Sequence, residues 1–257
     1  AFFKALIKVV LRPSGIENIY SLYSKEAAQY DLKHHLTTAF NDTRLRKEAA
    51  IYVSDFLVRD KIFNRRPIVL DIATGTGLTL QMVDKYTKAR NIDADMYGID
   101  FTQEMLDRAN AQPFTSGNIH FKRSDATDLV SKKSDNDGLF RFDLNSVECI
   151  TNIFGIGGIM NSSKSFIDQL LVLREGGIAI MVDIHKPYLD KKHTKLPLGL
   201  PPSPVFVSRS WEDITKPIVL KQLWGWKDPT QDFYTMPLAS YYDDKNGKYF
   251  GFDVLER

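Results

Sequence analysis

The sequence predicts an α/β protein: a doubly wound, mostly parallel seven-stranded sheet with an N-terminal helical lid over residues 1–42 and a terminal β-hairpin. Three observations carry this expectation. Short branched apolar runs alternate with segments whose apolar residues recur every three to four positions, the pattern of strands joined by right-handed helical crossovers. The first run, 68–72, is apolar on successive residues, as a strand buried on both faces requires, and leads at once into Gly75 and Gly77. Near the end of the chain, two β-rich runs flank Asn246-Gly247, a hairpin turn dipeptide.

Each element follows in order. Residues 1–11 are apolar but carry Lys4 and Lys8, with Arg12 and Pro13 closing the stretch. A bilayer-spanning helix needs about 20 residues, so this segment reads as a packing helix or as a peripheral membrane contact through residues 1–12. An amphipathic helix over 43–60 opens the main domain, 43–257, with Leu45, Ala49, Tyr52, Val53, Phe56 and Leu57 on one face. Strand 68–72, helix 78–86, strand 95–100, helix 103–111 and strand 119–124 come next, then a polar loop over 131–138. A fourth strand is expected over 146–152. Phe166, Leu170, Leu171 and Leu173 mark a helix, Glu175-Gly176-Gly177 reads as the turn that ends it, and 178–184 is the fifth strand. Beyond it, Pro187, Pro197, Pro201, Pro202 and Pro204 mark an insertion over 186–207. The hairpin is expected over 233–242 and 249–255.

Bulk properties exclude several classes. At 43% apolar and 26% charged residues the chain is an ordinary globular one, neither disordered nor membrane-spanning. Its 34 basic and 32 acidic residues leave a net charge of +2, scattered along the chain, so no nucleic-acid footprint appears. Cys149 is alone and the histidines at 34, 35, 120, 185 and 193 are dispersed, which excludes an internal disulfide and a multi-cysteine zinc site; no metal is expected. A cytoplasmic setting fits this cysteine usage.

The chemistry concentrates at strand ends, because a doubly wound sheet binds its ligand beyond the carboxyl ends of its strands. The first strand ends in Asp71 and the glycine turn. The second ends in Asp100, whose acceptor-only oxygens suit a ribose diol. After the third come Asp125, placed for an exocyclic amine, and Ala126, whose amide suits a ring nitrogen. A dinucleotide fingerprint needs a small residue at position 80, where Leu80 stands, and a phosphate-binding loop needs a lysine that is absent. A carboxylate opening the turn repels pyrophosphate, and Asp71 suits a ligand with a cationic group instead.

Asp71-x-Ala73-x-Gly75-x-Gly77, Gly98-Ile99-Asp100 with Met105, Asp125-Ala126 and Arg174-Glu175-Gly176-Gly177 together resemble class I S-adenosylmethionine-dependent methyltransferases, over about 23–185. Within that superfamily the chain looks most like the ubiquinone and menaquinone biosynthesis C-methyltransferases and their small-molecule relatives. The segment from Tyr23 to Asp31 is similar to their tyrosine motif, and Phe154-Gly155-Ile156 to the segment after their fourth strand. The resemblance implies a Rossmann-like methyltransferase fold, S-adenosylmethionine as cofactor and S-adenosylhomocysteine as product. It places Gly75 and Gly77 at the methionine part, Asp100 at the ribose hydroxyls, Met105 on the adenine, Asp125 and Ala126 at the adenine edge and Tyr30 over the cofactor, with Asp71, Ala73, Thr74, Phe101 and Asn152 as further cofactor contacts. Ala73 stands where the common pattern has its first glycine, and Gly157-Gly158 departs from the quinone enzymes, which bears on their substrate rather than the cofactor.

Plainer readings stand beside these. Asp71 also suits a helix cap, Met105 a core position, Asp125 a loop and Tyr30 simple packing. For methyl transfer the expected base is His185, just after the fifth strand, with His34 and His35 of the lid as alternatives. A small, partly apolar or aromatic acceptor is expected against His34, Phe154, Trp224, Trp226 and Phe233. Two rival classes are a nicotinamide oxidoreductase and a protein that binds the cofactor without methylating.

Overall fold

The computed structural model describes residues 20–21, 23–25, 27–38, 41–59, 65–131, 137–155, 158–159, 161–184, 234–237 and 250–256. Their elements are α1 (Tyr30–Thr37), α2 (Asn41–Arg59), β1 (Ile68–Ile72), α3 (Leu78–Ala89), β2 (Asp95–Asp100), α4 (Gln103–Asn110), β3 (Ile119–Arg123), β4 (Val147–Ile153), α5 (Ser162–Val172), β5 (Leu173–Ile184), β6 (Tyr234–Pro237) and β7 (Phe250–Glu256). One sheet takes the order β3-β2-β1-β4-β5-β7-β6. Its first five strands run parallel, as the alternating pattern predicts. β7 and β6 add antiparallel strands at one edge. Residues 238–249, with the Asn246-Gly247 turn, lie outside the described residues, as do 1–19 and the insertion 186–207.

Strand side chains alternate between faces, and the core divides accordingly. In β1, Leu70 and Ile72 enter a cluster with Ile150, Phe166 and Leu170, so α5 covers that face. Val69 points the other way, into Leu45, Ala49, Val53, Leu80 and Val83 of α2 and α3. β5 repeats the division, with Ala179 and Met181 in the first cluster and Ile178, Ile180 and Val182 in the second. Full burial of such side chains contributes roughly 1.5–3 kcal/mol each.

β1 and β4 are joined at both ends by side chains. At their amino ends the buried Glu148 accepts from the Ile68 amide at 2.6 Å and from Arg65 Nη2 at 2.8 Å; burial pushes its pKa up, against these donors. At their carboxyl ends β1 is flanked by β2 on one side and β4 on the other, so the strand order reverses there. That reversal opens the crevice in which such sheets bind ligands.

The fifth strand departs from expectation. Glu175-Gly176-Gly177 does not form a turn between helix and strand: α5 stops at Val172 and β5 runs unbroken from Leu173. Gly176, at φ +69°, absorbs the irregularity, and the register against β4 shifts between Val147 and Cys149.

Gly98 of β2 is buried where a side chain has no room: a Cβ there would lie 2.6 Å from the Phe121 ring and 2.9 Å from Thr74 Oγ1. Gly98→Ala is expected to destabilise the protein by about 1–3 kcal/mol through overpacking, seen as a lower denaturant midpoint with an unchanged slope. An unchanged midpoint would show that the Phe121 ring moves aside freely.

Candidate active site

A cavity of about 250 Å³ lies at the carboxyl ends of β1, β2 and β4 and beside the loop after β3. Of the residues expected at the cofactor or acceptor, it brings together Tyr30, Ala73, Gly75, Asp100, Phe101, Met105, Asp125, Ala126 and Phe154. Asp71, Thr74, Gly77, Asn152 and His34 are not among its lining residues. His185, Trp224, Trp226 and Phe233 lie outside the described residues. Tyr20, Thr102, Ser124, Thr127, Ile159 and Asn161 also line it and went unnoticed in the sequence. Asn161 had a signal: it caps α5, its side chain accepting from the Lys164 amide.

The turn after β1 is tied to β2. The Thr74 amide donates to the Ile99 carbonyl at 2.9 Å and the Gly75 amide to Asp100 Oδ2 at 3.0 Å. The other Asp100 oxygen accepts from the Thr102 amide at 2.9 Å. Burial pushes the Asp100 carboxyl up, opposed by these backbone donors. Gly77 heads α3 in the left-handed region at φ +82°, a conformation that needs glycine there. Ala73, not a glycine, also sits at positive φ, +51°; its small side chain keeps the strain modest.

Asp71 lies behind this turn. Its two oxygens accept from the hydroxyls of Thr74 and Thr151, each at 2.6 Å, and the residue is 1% exposed. Burial raises its pKa to about 6, against the two hydroxyl donors. Asp71 thus supports the loop rather than presenting a surface to the cavity. Asn152, equally buried, has a carboxamide oxygen without a hydrogen-bond partner, 2.5 Å from where a Cβ on Gly155 would stand.

The N-terminal segment covers the cavity from the other side, with Tyr20, Tyr23 and Tyr30 in its wall. Ser24 Oγ donates to Glu104 Oε2 at 2.9 Å, and the Tyr20 ring meets Phe101 edge-on at 6.1 Å. Thr76 Oγ1 donates to Asp31 Oδ1 at 2.6 Å, joining α1 to the glycine turn itself. The Arg123 guanidinium stands over the outer face of Phe101, 5.2 Å from its centroid.

The lining carries the carboxylates Asp100 and Asp125 and, among the described residues, no lysine, arginine or histidine. The two carboxylates give a neutral or cationic ligand acceptors for its hydroxyls and amines and are unfavourable neighbours for an anion. Fold and cavity thus define an α/β protein with an acidic pocket at the switch point of its sheet.

Comparison with known proteins takes the identification further. Residues 69–153 match the family described as a methyltransferase domain. The chain is 26% identical over 174 residues to the ubiquinone/menaquinone biosynthesis C-methyltransferase UbiE of Pseudomonas fluorescens, covering 66% of this chain and 59% of that protein. It is 23% identical over 175 residues to the protein of the same name from Geobacter sulfurreducens, with the same coverage. It therefore spans less than two thirds of the length of these relatives. Among solved structures, the plantazolicin methyltransferase BpumL in complex with SAH shares the fold at a TM-score of 0.57 and 13% identity, over 94% of this chain and 98% of that one. Over residues 69–153 the chain is thus similar to the methyltransferase-domain family, and it shares its fold with a solved methyltransferase.

The raised Asp71 carboxyl makes stability depend on pH. An acid whose folded pKa exceeds its unfolded one favours folding most below the unfolded value, and this advantage is lost as pH rises through the folded value. With Asp71 moved from 3.8 to about 6, the stability of the wild-type protein relative to Asp71→Asn is expected to fall by about 2 kcal/mol between pH 4 and pH 7. Denaturant unfolding of both proteins across that range checks it; a constant difference would contradict the assigned burial.

Proposed function

We propose that the protein transfers a methyl group from S-adenosylmethionine to a small, partly apolar or aromatic acceptor by in-line displacement, releasing S-adenosylhomocysteine. The observation that carries this reading is the cavity at the sheet's switch point, lined by Asp100 and Asp125. When bound, the cofactor supplies a sulfonium-activated methyl group, so the chain's own task is to bind, orient and exclude water. In this reading Asp100 accepts from the ribose hydroxyls, its oxygens already oriented by the Gly75 and Thr102 amides. Met105, buried on α4, packs on the adenine, and Asp125 and Ala126 meet its edge. The glycine turn approaches the methionine part, and Tyr30 closes over the site.

The wall formed by Tyr20, Tyr23, Tyr30, Phe154 and Ile159 suits an apolar or aromatic acceptor. The similarity to quinone-ring C-methyltransferases agrees with such an acceptor class. A nicotinamide reading is disfavoured by Leu80, which stands where the dinucleotide fingerprint needs a small residue.

Isothermal titration is expected to show binding of S-adenosylmethionine and S-adenosylhomocysteine and none of NAD; failure of both sulfur nucleosides to bind overturns the reading. Asp100→Ala is expected to lose at least tenfold in affinity for S-adenosylmethionine, about 1.4 kcal/mol, while retaining its circular-dichroism spectrum. Retained affinity contradicts the ribose contact. Methylation itself is read as a gain of one methyl mass on a panel of quinols, phenols and amines.

A further inference from the structure

In the proposed complex the parts of the methyl donor take the ends of β1 and β2 and the loop after β3, so the acceptor must meet the lining that is left. In-line displacement requires this, since the attacking atom reaches the methyl carbon from the side opposite the sulfur. That remaining lining comes from the chain around Tyr23 and Tyr30 and from the segment after β4, where Phe154, Gly158 and Ile159 stand. Gly158 belongs to the glycine pair at which the sequence departs from the quinone enzymes.

The two sides of this wall meet at Gly158. A Cβ there would lie 3.3 Å from the Tyr23 phenol oxygen and 3.5 Å from the ring itself, the first closer than ordinary van der Waals contact. Both sides are pinned. The segment after β4 is held at Gly155, where a Cβ would stand 2.5 Å from Asn152 Oδ1 and 2.9 Å from Ala73 Cβ, and at Ile159, which is buried in the first apolar cluster. Between these points it turns, the Gly158 amide donating to the Gly155 carbonyl at 3.0 Å. Tyr23 is held by the Tyr30 ring, edge-on at 5.8 Å, and through its neighbour Ser24, whose hydroxyl donates to Glu104 of α4 at 2.9 Å. The bare Cα of Gly158 is therefore what gives the Tyr23 ring its seat.

We infer that Tyr23, seated on Gly158, sets the size of the methyl acceptor, and that the site takes a single flat ring rather than a fused pair. This rests on the methyl transfer proposed above. The cavity, about 250 Å³, is small beside the roughly 300–1,000 Å³ typical of a site for one drug-sized ligand, and the cofactor takes a share of it. An aromatic ring in the acceptor's wall suits a ring packed edge-on or offset against it. A second fused ring would have to displace Tyr23, because the wall opposite is pinned.

The test compares wild type, Tyr23→Ala, Gly158→Ala, Tyr23→Phe and the double variant Gly158→Ala/Tyr23→Phe. Each is given the single-ring acceptor that wild type methylates fastest, among hydroquinone, phenol and aniline, and that compound's fused counterpart, naphthohydroquinone, naphthol or naphthylamine. Wild type is expected to favour the single ring by at least about tenfold in kcat/KM, the scale of a mismatch in pocket size. Tyr23→Ala is expected to cut that preference by about tenfold or more while binding S-adenosylmethionine within about threefold of wild type. Gly158→Ala is expected to raise KM for the single-ring acceptor about tenfold with kcat little changed. Adding Tyr23→Phe to it is expected to restore KM, because the phenol oxygen is the atom nearest the added Cβ. A general loss of packing would weaken S-adenosylmethionine binding as well and would not be repaired by a second substitution. A wild type without preference for the single ring overturns the inference, as does a Tyr23→Ala protein that keeps the wild-type preference or a Gly158→Ala defect that Tyr23→Phe leaves in place. If Gly158→Ala does not fold, the ring preference of Tyr23→Ala decides alone. If wild type fails to bind S-adenosylmethionine or methylates no acceptor, the underlying methyltransferase reading falls first and this inference with it.

Discussion

The architecture of the site depends on one buried carboxylate at the point where β1 and β4 part. Asp71 of β1 stands in register with Thr151 of β4, and that hydroxyl together with the one from Thr74 occupies both of its oxygens. Inside the sheet, where the effective dielectric is low, such bonds are strong and an unmade one is costly. The turn leaving β1 is therefore held from below by Asp71 and from the side by the Ile99 carbonyl and Asp100. The amides that would face a ligand are thus positioned before any ligand arrives. Positive φ at Ala73, Gly75 and Gly77 is tolerated because these partners over-determine the loop.

The lid is built on different physics. Its contacts to the domain are side-chain hydrogen bonds and aromatic edges: Ser24 to Glu104, Thr76 to Asp31, Tyr20 to Phe101 and His34 to Phe154. Its anchor is the charged cluster on Asp42, where three cationic or ionisable donors share one oxygen. Apolar burial contributes less there, and Leu32 and Leu36, one turn apart on α1, face outward at 62% and 48% exposure.

How far the amino-acid sequence disclosed all this differs by element. β1 and β2 were legible to the residue, because each is an apolar run stopped by a carboxylate or a small-residue turn. The start of β5 was misread: Gly176-Gly177 has the signature of a turn, and only pairing with β4 turns it into an irregular stretch of strand. The cavity wall was legible where it follows strand ends, as at Asp100, Asp125 and Phe154, since topology places those residues together. Asp71 showed the limit. Its carboxylate advertised a ligand contact, but the Thr151 hydroxyl that occupies it comes from 80 residues away. The Asp42 cluster was not legible: the expected helix began at 43, and the two histidines meet Asp42 and Arg46 only because α1 folds back on α2.

The rigid floor and the polar, lightly packed cover are held by different contacts. The contacts that hold the segment from Tyr20 to Thr37 are side-chain hydrogen bonds and the pairing of His34 and His35 with the buried Asp42, and neither belongs to the sheet's two apolar clusters. Since Asp31 grips the glycine turn that borders the cavity, the cover closes onto the loop it protects.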